Sequence, residues 1–188
     1  ELENRVTELK ILRGAWSNEQ LSLERKVNTT YPNRIQQYQR QIEQISQDAA
    51  LLEQSRGGNF SIVLDGKRYT ERPEAGEALA LLYRRISEGR KKDDYDFEIG
   101  TYRGFRLYLS FDPFSAGLVL RGSSRYNTDI GSSGQGAITR IENLAERIPS
   151  YLTYAQRDLE EVQKQLEAAR QQMGQPFIYE EELSEKAA

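Results

Sequence analysis

Residues 141–173 have the sequence IENLAERIPSYLTYAQRDLEEVQKQLEAARQQM, and their apolar side chains recur at alternating steps of three and four. The series consists of Ala145, Ile148, Leu152, Ala155, Leu159, Val162, Leu166, Ala169 and Met173. This spacing is the heptad pattern of a coiled coil, in which one apolar stripe of a long helix packs against a partner helix. We therefore predict a long helix from about Ala137 to Met173, ended by Gly174 and Pro176.

A second apolar stripe with the same spacing lies near the start of the chain. It consists of Ile35, Tyr38, Ile42, Ile45, Ala49 and Leu52. Upstream of this stripe, Thr29, Thr30 and Pro32 predict a kink or short break, because proline disfavours a helical conformation at the residue before it. Gly57 and Gly58 then end the helix, since glycine readily adopts a positive φ there.

The segment between the two stripes has the patterning of a small β-sheet. Apolar residues alternate in 60–64, and Asp65-Gly66 is a strong signal for a two-residue hairpin turn. Further strands are predicted at 97–102, 105–111 and 117–122, with 123–126 as an extension of the last one. In total we expect about five short strands.

One helix is predicted within this segment. Thr70 is expected to cap it and Pro73 to lie in its first turn. The apolar face of this helix consists of Ala75, Ala78, Leu79, Leu82 and Ile86, and Gly89 is expected to end it.

The predicted fold class is α+β, with a small antiparallel sheet and one helix (the head) inserted between two long helices that form an antiparallel coiled-coil stalk. The predicted boundaries are an N-terminal arm at 1–56, kinked near Pro32, the head at 57–136 and the second stalk helix at 137–173. Residues 174–188 are expected to form a tail that leads to the next region of a parent protein. The coiled-coil pairing is expected to be intramolecular.

The composition excludes most catalytic chemistries. The 188 residues include neither Cys nor His, so thiol nucleophiles, the commonest general base near neutral pH and the usual zinc ligands are missing. We predict no catalytic residue, no metal site and no cofactor.

The sequence also bears on where the protein is found. A helix needs about 20 apolar residues to span a bilayer, and no apolar run approaches that length. We therefore expect a cytoplasmic protein without a membrane partner. The chain begins without Met, and we expect it to be a piece of a larger intracellular protein.

The positive charge of the chain is concentrated in the predicted head. Residues 56–140 carry 14 basic and 11 acidic residues, although the whole chain has a net charge of −3. The candidate nucleic-acid contacts are Lys67, Arg68, Arg103, Arg106, Arg121 and Arg125, interleaved with Tyr69, Tyr102, Tyr108 and Tyr126. Arginine can bind phosphate and aromatic rings can stack on bases. The alternative is an ordinary polar sheet surface exposed to water.

Two loops contain other possible ligands. The glycine-rich segment 131–136 precedes a predicted helix, where Ser132, Ser133 and Arg140 could bind an anion. The favoured interpretation is a flexible joint with Ser133 or a neighbour as helix cap, because the segment lacks phosphate-loop spacing. Three aspartates in 93–96 could bind magnesium or calcium, but the basic residues beside them indicate a solvated surface loop.

Several segments resemble one family of large proteins. They are FSIVLDGKRYTERPEAGEAL, IGTYRGFRLYL, GSSGQGAITRIENLAERIP and QPFIYEEEL, within about residues 56–178. They are similar to a region of fusions between an SNF2-type helicase and an adenine-specific DNA methylase, found in phages, plasmids and other mobile elements. This region lies outside the helicase and methylase motifs. The resemblance therefore implies a non-catalytic accessory region whose parent is an ATP-dependent helicase and DNA adenine methyltransferase.

Three functional hypotheses follow from the sequence. The first is an accessory domain that positions DNA or links the catalytic modules of the parent protein, with DNA and the other domains of the parent as partners. The second is a protein-interaction or spacer module with a coiled coil and no nucleic-acid contact. The third, ranked last, is a small magnesium-dependent nuclease that uses Asp93, Asp94 and Asp96.

Overall fold

The computed structural model describes residues 2–188 and confirms an α+β fold with an antiparallel sheet and long helices. The helices are α1 (Leu2–Arg25), α2 (Tyr31–Glu53), α3 (Arg72–Gly89), α4 (Gly134–Gln172) and α5 (Glu180–Ala187). The strands are β1 (Ile62–Leu64), β2 (Lys67–Tyr69), β3 (Asp96–Tyr102), β4 (Phe105–Phe111), β5 (Ala116–Arg121) and β6 (Arg125–Asp129). The chain divides into two compact units, one made of residues 2–40 and 156–188 and the other of residues 41–155.

A π-helical turn connects α1 to α2 at the place where the sequence predicts a break. The turn spans Lys26–Thr30, and the N–H of Tyr31 donates to the carbonyl oxygen of Lys26, five residues back. Pro32 follows directly, and it has no N–H to donate to the carbonyl four residues back. The wider turn lets the chain continue into α2 without a non-helical residue.

The unit of residues 41–155 contains a six-stranded antiparallel sheet with the order β2-β1-β3-β4-β5-β6. Tight turns set its register. Asp65 and Gly66 both have positive φ, 50° and 79°, as do Arg103 and Gly104, with 48° and 85°. Both turns have the positive φ pair that favours a two-residue hairpin. The predicted hairpin at Asp65-Gly66 is therefore confirmed.

The core of this unit lies on one face of the sheet. Side chains from α3, from the C-terminal part of α2 and from the N-terminal part of α4 pack there against the sheet. The largest fully buried members are Phe105, Ile62, Leu64, Leu79, Leu107, Leu109, Leu118, Leu120, Ile138, Ile141 and Leu144. The helical segments of residues 41–155 all contribute to this cluster. We call the opposite face of the sheet the outer face.

Two glycines let α3 and α4 approach each other closely. A Cβ atom on Gly134 would overlap the carbonyl oxygen of Gly76, and one on Gly76 would lie 2.9 Å from the backbone nitrogen of Gln135. Because these neighbours are backbone atoms, a side chain at either position would push the helices apart. The contact fixes the start of α4 against α3.

The unit of residues 2–40 and 156–188 has two small apolar clusters. Leu23, Val27, Leu166 and Ala169 form the first, with Tyr31, Ile35 and Met173 packed against it. Leu9, Phe177 and Leu183 form the second, with Val6 and Trp16 beside it. Arg5 donates to both carboxylate oxygens of Glu182, at 2.9 Å each, which joins α5 to α1.

Three local predictions are wrong. Residues 125–129 form a separate strand, β6, because the 122–124 turn reverses the chain and pairs Arg121 with Arg125. Thr70 does not cap α3, since the residue before that helix is Glu71 and no side chain caps it. The last long helix starts at Gly134, three residues before the predicted start.

Candidate nucleic-acid interface

The outer face of the sheet carries the exposed arginines that the strand alternation predicts. Successive side chains of a strand point to opposite faces. In β4, Phe105, Leu107 and Leu109 are fully buried in the core, whereas Arg106 is exposed and Tyr108 is half-buried. Arg106 and Tyr108 therefore lie on the outer face.

Four of these arginines belong to one row of paired residues across the sheet. The row follows the pairing of directly opposite residues from β2 to β6 and contains Arg68, Val63, Thr101, Arg106, Arg121 and Arg125. Neighbouring strands are about 4.8 Å apart, so this arginine row is about 24 Å long. Sequence analysis missed the alignment because it depends on the separate strand β6 and on the register of five strand pairs.

The three arginines at the β6 end of the row are adjacent to one another. Arg106 lies opposite Arg121, and Arg121 lies opposite Arg125. Like charges directly opposite each other on a sheet are destabilising. Within residues 2–188, the side chains of Arg106 and Arg121 make no hydrogen bond or ion pair, although the charge of Arg121 acts on Asp96 at longer range. Neither guanidinium is therefore held by a direct acidic partner.

Arg125 has an acidic partner at the far end of the same face. Its guanidinium lies 2.8 Å from Asp96 Oδ2, and Ser110 Oγ donates to Asp96 Oδ1 at 2.7 Å. The hydrogen bond from Arg125 and that from Ser110 hold the pKa of Asp96 below its ordinary value. Arg68, at the other end of the row, donates to Ser61 Oγ at 2.9 Å.

The predicted aromatic contribution is mostly missing from this face. Of the four tyrosines interleaved with the arginines, only Tyr108 lies on the outer face, opposite Glu98. Tyr102 and Tyr126 are buried in the core, and Tyr69 packs against the core. Burial, followed by the hydrogen bond to Asp48, raises the pKa of the Tyr126 hydroxyl. The outer face therefore provides charge for phosphate but few rings for stacking.

Lys67 and Arg103, two of the six predicted contacts, do not belong to the row. Lys67 pairs with the core-facing Leu64, and its ammonium lies 5.1 Å from the Tyr69 ring centroid. Arg103 folds back onto α2 and α4, where it donates to Ser55 Oγ at 2.7 Å, to the Leu52 carbonyl at 2.9 Å and to Glu146 at 2.8 Å. Its side chain is only 16% exposed, so it fastens the β3–β4 turn.

A cleft of about 960 Å³ adjoins the row at the β2 end. Arg68, Val63 and Thr101 belong to both the row and the cleft wall. Three other arginines line the cleft, and each has an acidic partner: Arg56 with Glu53, Arg72 with Glu142 and Arg103 with Glu146. Phe60 supplies an aromatic wall, with the Arg72 guanidinium 4.8 Å from its ring centroid.

The glycine-rich loop before α4 has the geometry of a helix cap. The N–H of Gly136 donates to Ser133 Oγ at 3.0 Å, as the favoured interpretation of this loop expects. Arg140 is ion-paired with Asp129 at 2.7 Å. Ser132 lies in the loop between Ile130 and Gly134. Anion binding by Ser132, Ser133 and Arg140 stays a prediction.

The aspartates of the charged loop do not converge. Asp94 accepts from the backbone N–H of Lys91 at 3.3 Å, whereas Asp96 bonds to Arg125 and Ser110. Across residues 2–188, no group of three His, Cys, Asp or Glu side chains is close enough to hold a metal ion.

Asp48 is a key residue that sequence analysis missed. It lies on α2, is only 1% exposed, and accepts hydrogen bonds from the backbone N–H groups of Ser123 and Ser124 at 2.6 and 2.9 Å. It also accepts from the Tyr126 hydroxyl at 2.7 Å. Asp48 thereby holds the β5–β6 turn, which sets the register of Arg121 and Arg125. No sequence signal marks it, because its partners lie about 75 residues away.

Comparisons with known proteins add no relative. No protein family, no curated protein and no solved structure matches this chain. In the part of the chain that the structure describes, no helix is long and apolar enough to cross a membrane.

Proposed function

We propose that this chain is a non-catalytic accessory domain that binds the phosphate backbone of DNA through the arginine row. The observation that carries the proposal is the alignment of four arginines on one exposed sheet face, two of them without a partner within residues 2–188. Aligned arginines with no acidic partner concentrate positive potential, which attracts phosphate. A chain without His or Cys fits this non-catalytic role.

The parent protein is proposed to be a DNA-processing helicase and methylase. Only the resemblance of the four quoted sequence segments supports this part of the proposal. In such a protein, the domain would position DNA or link the catalytic modules. The sequences directly before and after residues 1–188 test it, since helicase or methylase motifs are expected there.

The proposed architecture is an antiparallel coiled-coil stalk that carries the sheet. Each unit separately supports it. In one unit, Ile35 of α2 packs against a cluster that contains Leu166 and Ala169 of α4. In the other, Ile45 and Leu52 of α2 share a cluster with the earlier part of α4. Residues of early α2 and late α4 therefore share one cluster, and residues of late α2 and early α4 share the other, as the proposed antiparallel pairing requires.

DNA binding by a charge-reversed variant tests the proposed function. Replacing Arg106 and Arg121 by Glu is expected to weaken binding at least about tenfold and equally across sequences, because phosphate contacts carry no sequence information. The matched control replaces Arg84 and Arg147 by Glu. These exposed arginines lie on α3 and α4, which pack against the other face of the sheet.

An equal loss in both double variants would show that net charge alone drives binding. Wild-type protein that binds no DNA at low salt would overturn the proposal. In that case the chain is better described by the second hypothesis, a protein-interaction or spacer module.

A further inference from the structure

We infer that the cleft at the end of the arginine row receives an unpaired base, so that the ligand is single-stranded DNA. This inference rests on the proposed function and assigns its substrate class. The row and the cleft share Arg68, Val63 and Thr101, so a strand bound along the row leads directly into the cleft.

The size of the cleft suits a base. A volume of about 960 Å³ lies within the range of sites that enclose small ligands, about 300–1,000 Å³. A paired base keeps both its faces and its hydrogen-bonding edge inside the duplex. Only an unpaired or extruded base can enter a cleft of this kind.

The charges of the cleft favour one phosphate at its mouth and a neutral, polar group inside. Arg56, Arg72 and Arg103 each have a glutamate partner between 2.8 and 2.9 Å away. Arg68 bonds only to the neutral Ser61 hydroxyl among the described residues. A phosphate is therefore expected at Arg68, while the paired interior offers both donors and acceptors to the edge of a base.

Phe60 provides the surface on which the base would stack. Its ring is half-buried in the cleft wall, and the Tyr102 ring centroid lies 6.5 Å away. The Arg72 guanidinium lies over the ring, 4.8 Å from its centroid, so an entering base would displace this guanidinium or stack on its plane. Stacking of a base on an aromatic side chain is sequence-tolerant, because every base has a π-face. This ring supplies the aromatic contact that the outer face mostly lacks.

The test compares single-stranded and duplex DNA of the same length and composition, using fluorescence anisotropy on the full chain. The wild type is expected to bind the single strand more tightly than the duplex. Phe60→Leu keeps an apolar side chain against the core but removes the ring face, and it is expected to weaken single-strand binding about tenfold without changing duplex binding. Phe114→Leu is the matched control, since Phe114 is 97% exposed in the β4–β5 turn, away from the row.

Arg68→Gln is a second test variant. The Arg68 side chain is exposed, so this substitution is not expected to affect folding. It is expected to weaken single-strand binding more than duplex binding. Equal affinity for both DNA forms, with Phe60→Leu and Arg68→Gln behaving like wild type on each, would overturn the inference. If Arg106→Glu with Arg121→Glu weakens binding at least about tenfold in that case, the proposed function stands. A wild type that binds neither form would overturn both.

Discussion

At the scale of single residues, Asp48 decides whether the β5–β6 turn holds its position. Asp48→Ala would leave the Ser123 and Ser124 N–H groups and the Tyr126 hydroxyl without their acceptor. We expect the free energy of unfolding to fall by about 3 kcal/mol, because buried donors lose their partner. Chemical denaturation measures this change. The control is Gln47→Ala, which removes one exposed hydrogen bond to Ser123 Oγ. Equal stability of the two variants would contradict this role.

Asp96 limits the charge that Arg125 offers to DNA. Replacing Asp96 by Asn removes the ion pair and is expected to tighten DNA binding. The slope of log K against log salt concentration should become steeper by about 0.7, because Arg125 can then make one more phosphate contact with a single strand. Glu77→Gln removes the same charge from the exposed side of α3 and should leave binding unchanged.

The same ion pair predicts a pH dependence of stability. Folding lowers the pKa of Asp96 below 3.8, its value in the unfolded chain. The ion pair therefore stabilises the protein at pH values above 3.8, and this stabilisation is lost as the pH falls through the lower pKa of the folded state. The difference in stability between wild type and Asp96→Asn should therefore be present at neutral pH and shrink as the pH falls below 3.8. Denaturation curves at several pH values measure it. A difference that persists unchanged at low pH would contradict the assignment.

At the scale of elements, the backbone contact between α3 and α4 has little tolerance. Gly134→Ala places a Cβ atom against the Gly76 carbonyl, and we expect a loss of about 3 kcal/mol in unfolding free energy. Gly14→Ala, within α1, has open space around its Cβ position. That control should gain up to about 1 kcal/mol, because alanine favours the helix. Opposite signs in thermal melts support the contact; similar melts for both variants would contradict it.

The elements themselves could mostly be predicted from the sequence, because their signals are local. The heptad spacing indicates the long helices, and Asp65-Gly66 fixes the first hairpin through a turn that needs positive φ. The strand β6 was missed since its turn, at 122–124, is held by the distant Asp48. The arginine row was missed for the same reason. Its candidates were named individually, but their alignment requires the pairing of all six strands, and the inward folding of Arg103 depends on carbonyl and carboxylate partners on α2 and α4.

At the scale of the whole molecule, the proposed stalk predicts how mutations in the two heptad stripes behave. Ile42→Asp and Leu159→Asp each place a charge on a half-buried apolar stripe and should lower both helicity and melting temperature. Gln44→Asp and Gln163→Asp, on exposed positions of the same helices, are the controls. An intramolecular pair also requires that the melting temperature not depend on protein concentration. Unchanged helicity and melting in both stripe variants would rule out the pairing.

The central claim, that the arginine row binds DNA phosphates, is tested most directly by the salt dependence of binding. Each phosphate contact contributes about −0.7 to the slope of log K against log salt concentration for a single strand. We predict a slope near −2 for the wild type, from Arg68, Arg106 and Arg121, because Asp96 neutralises Arg125. We expect the slope to be shallower by at least about 1.4 when Arg106 and Arg121 are both replaced by Glu, and to be unchanged by Arg84→Glu with Arg147→Glu. An identical slope in the wild type and the row variant would contradict the account.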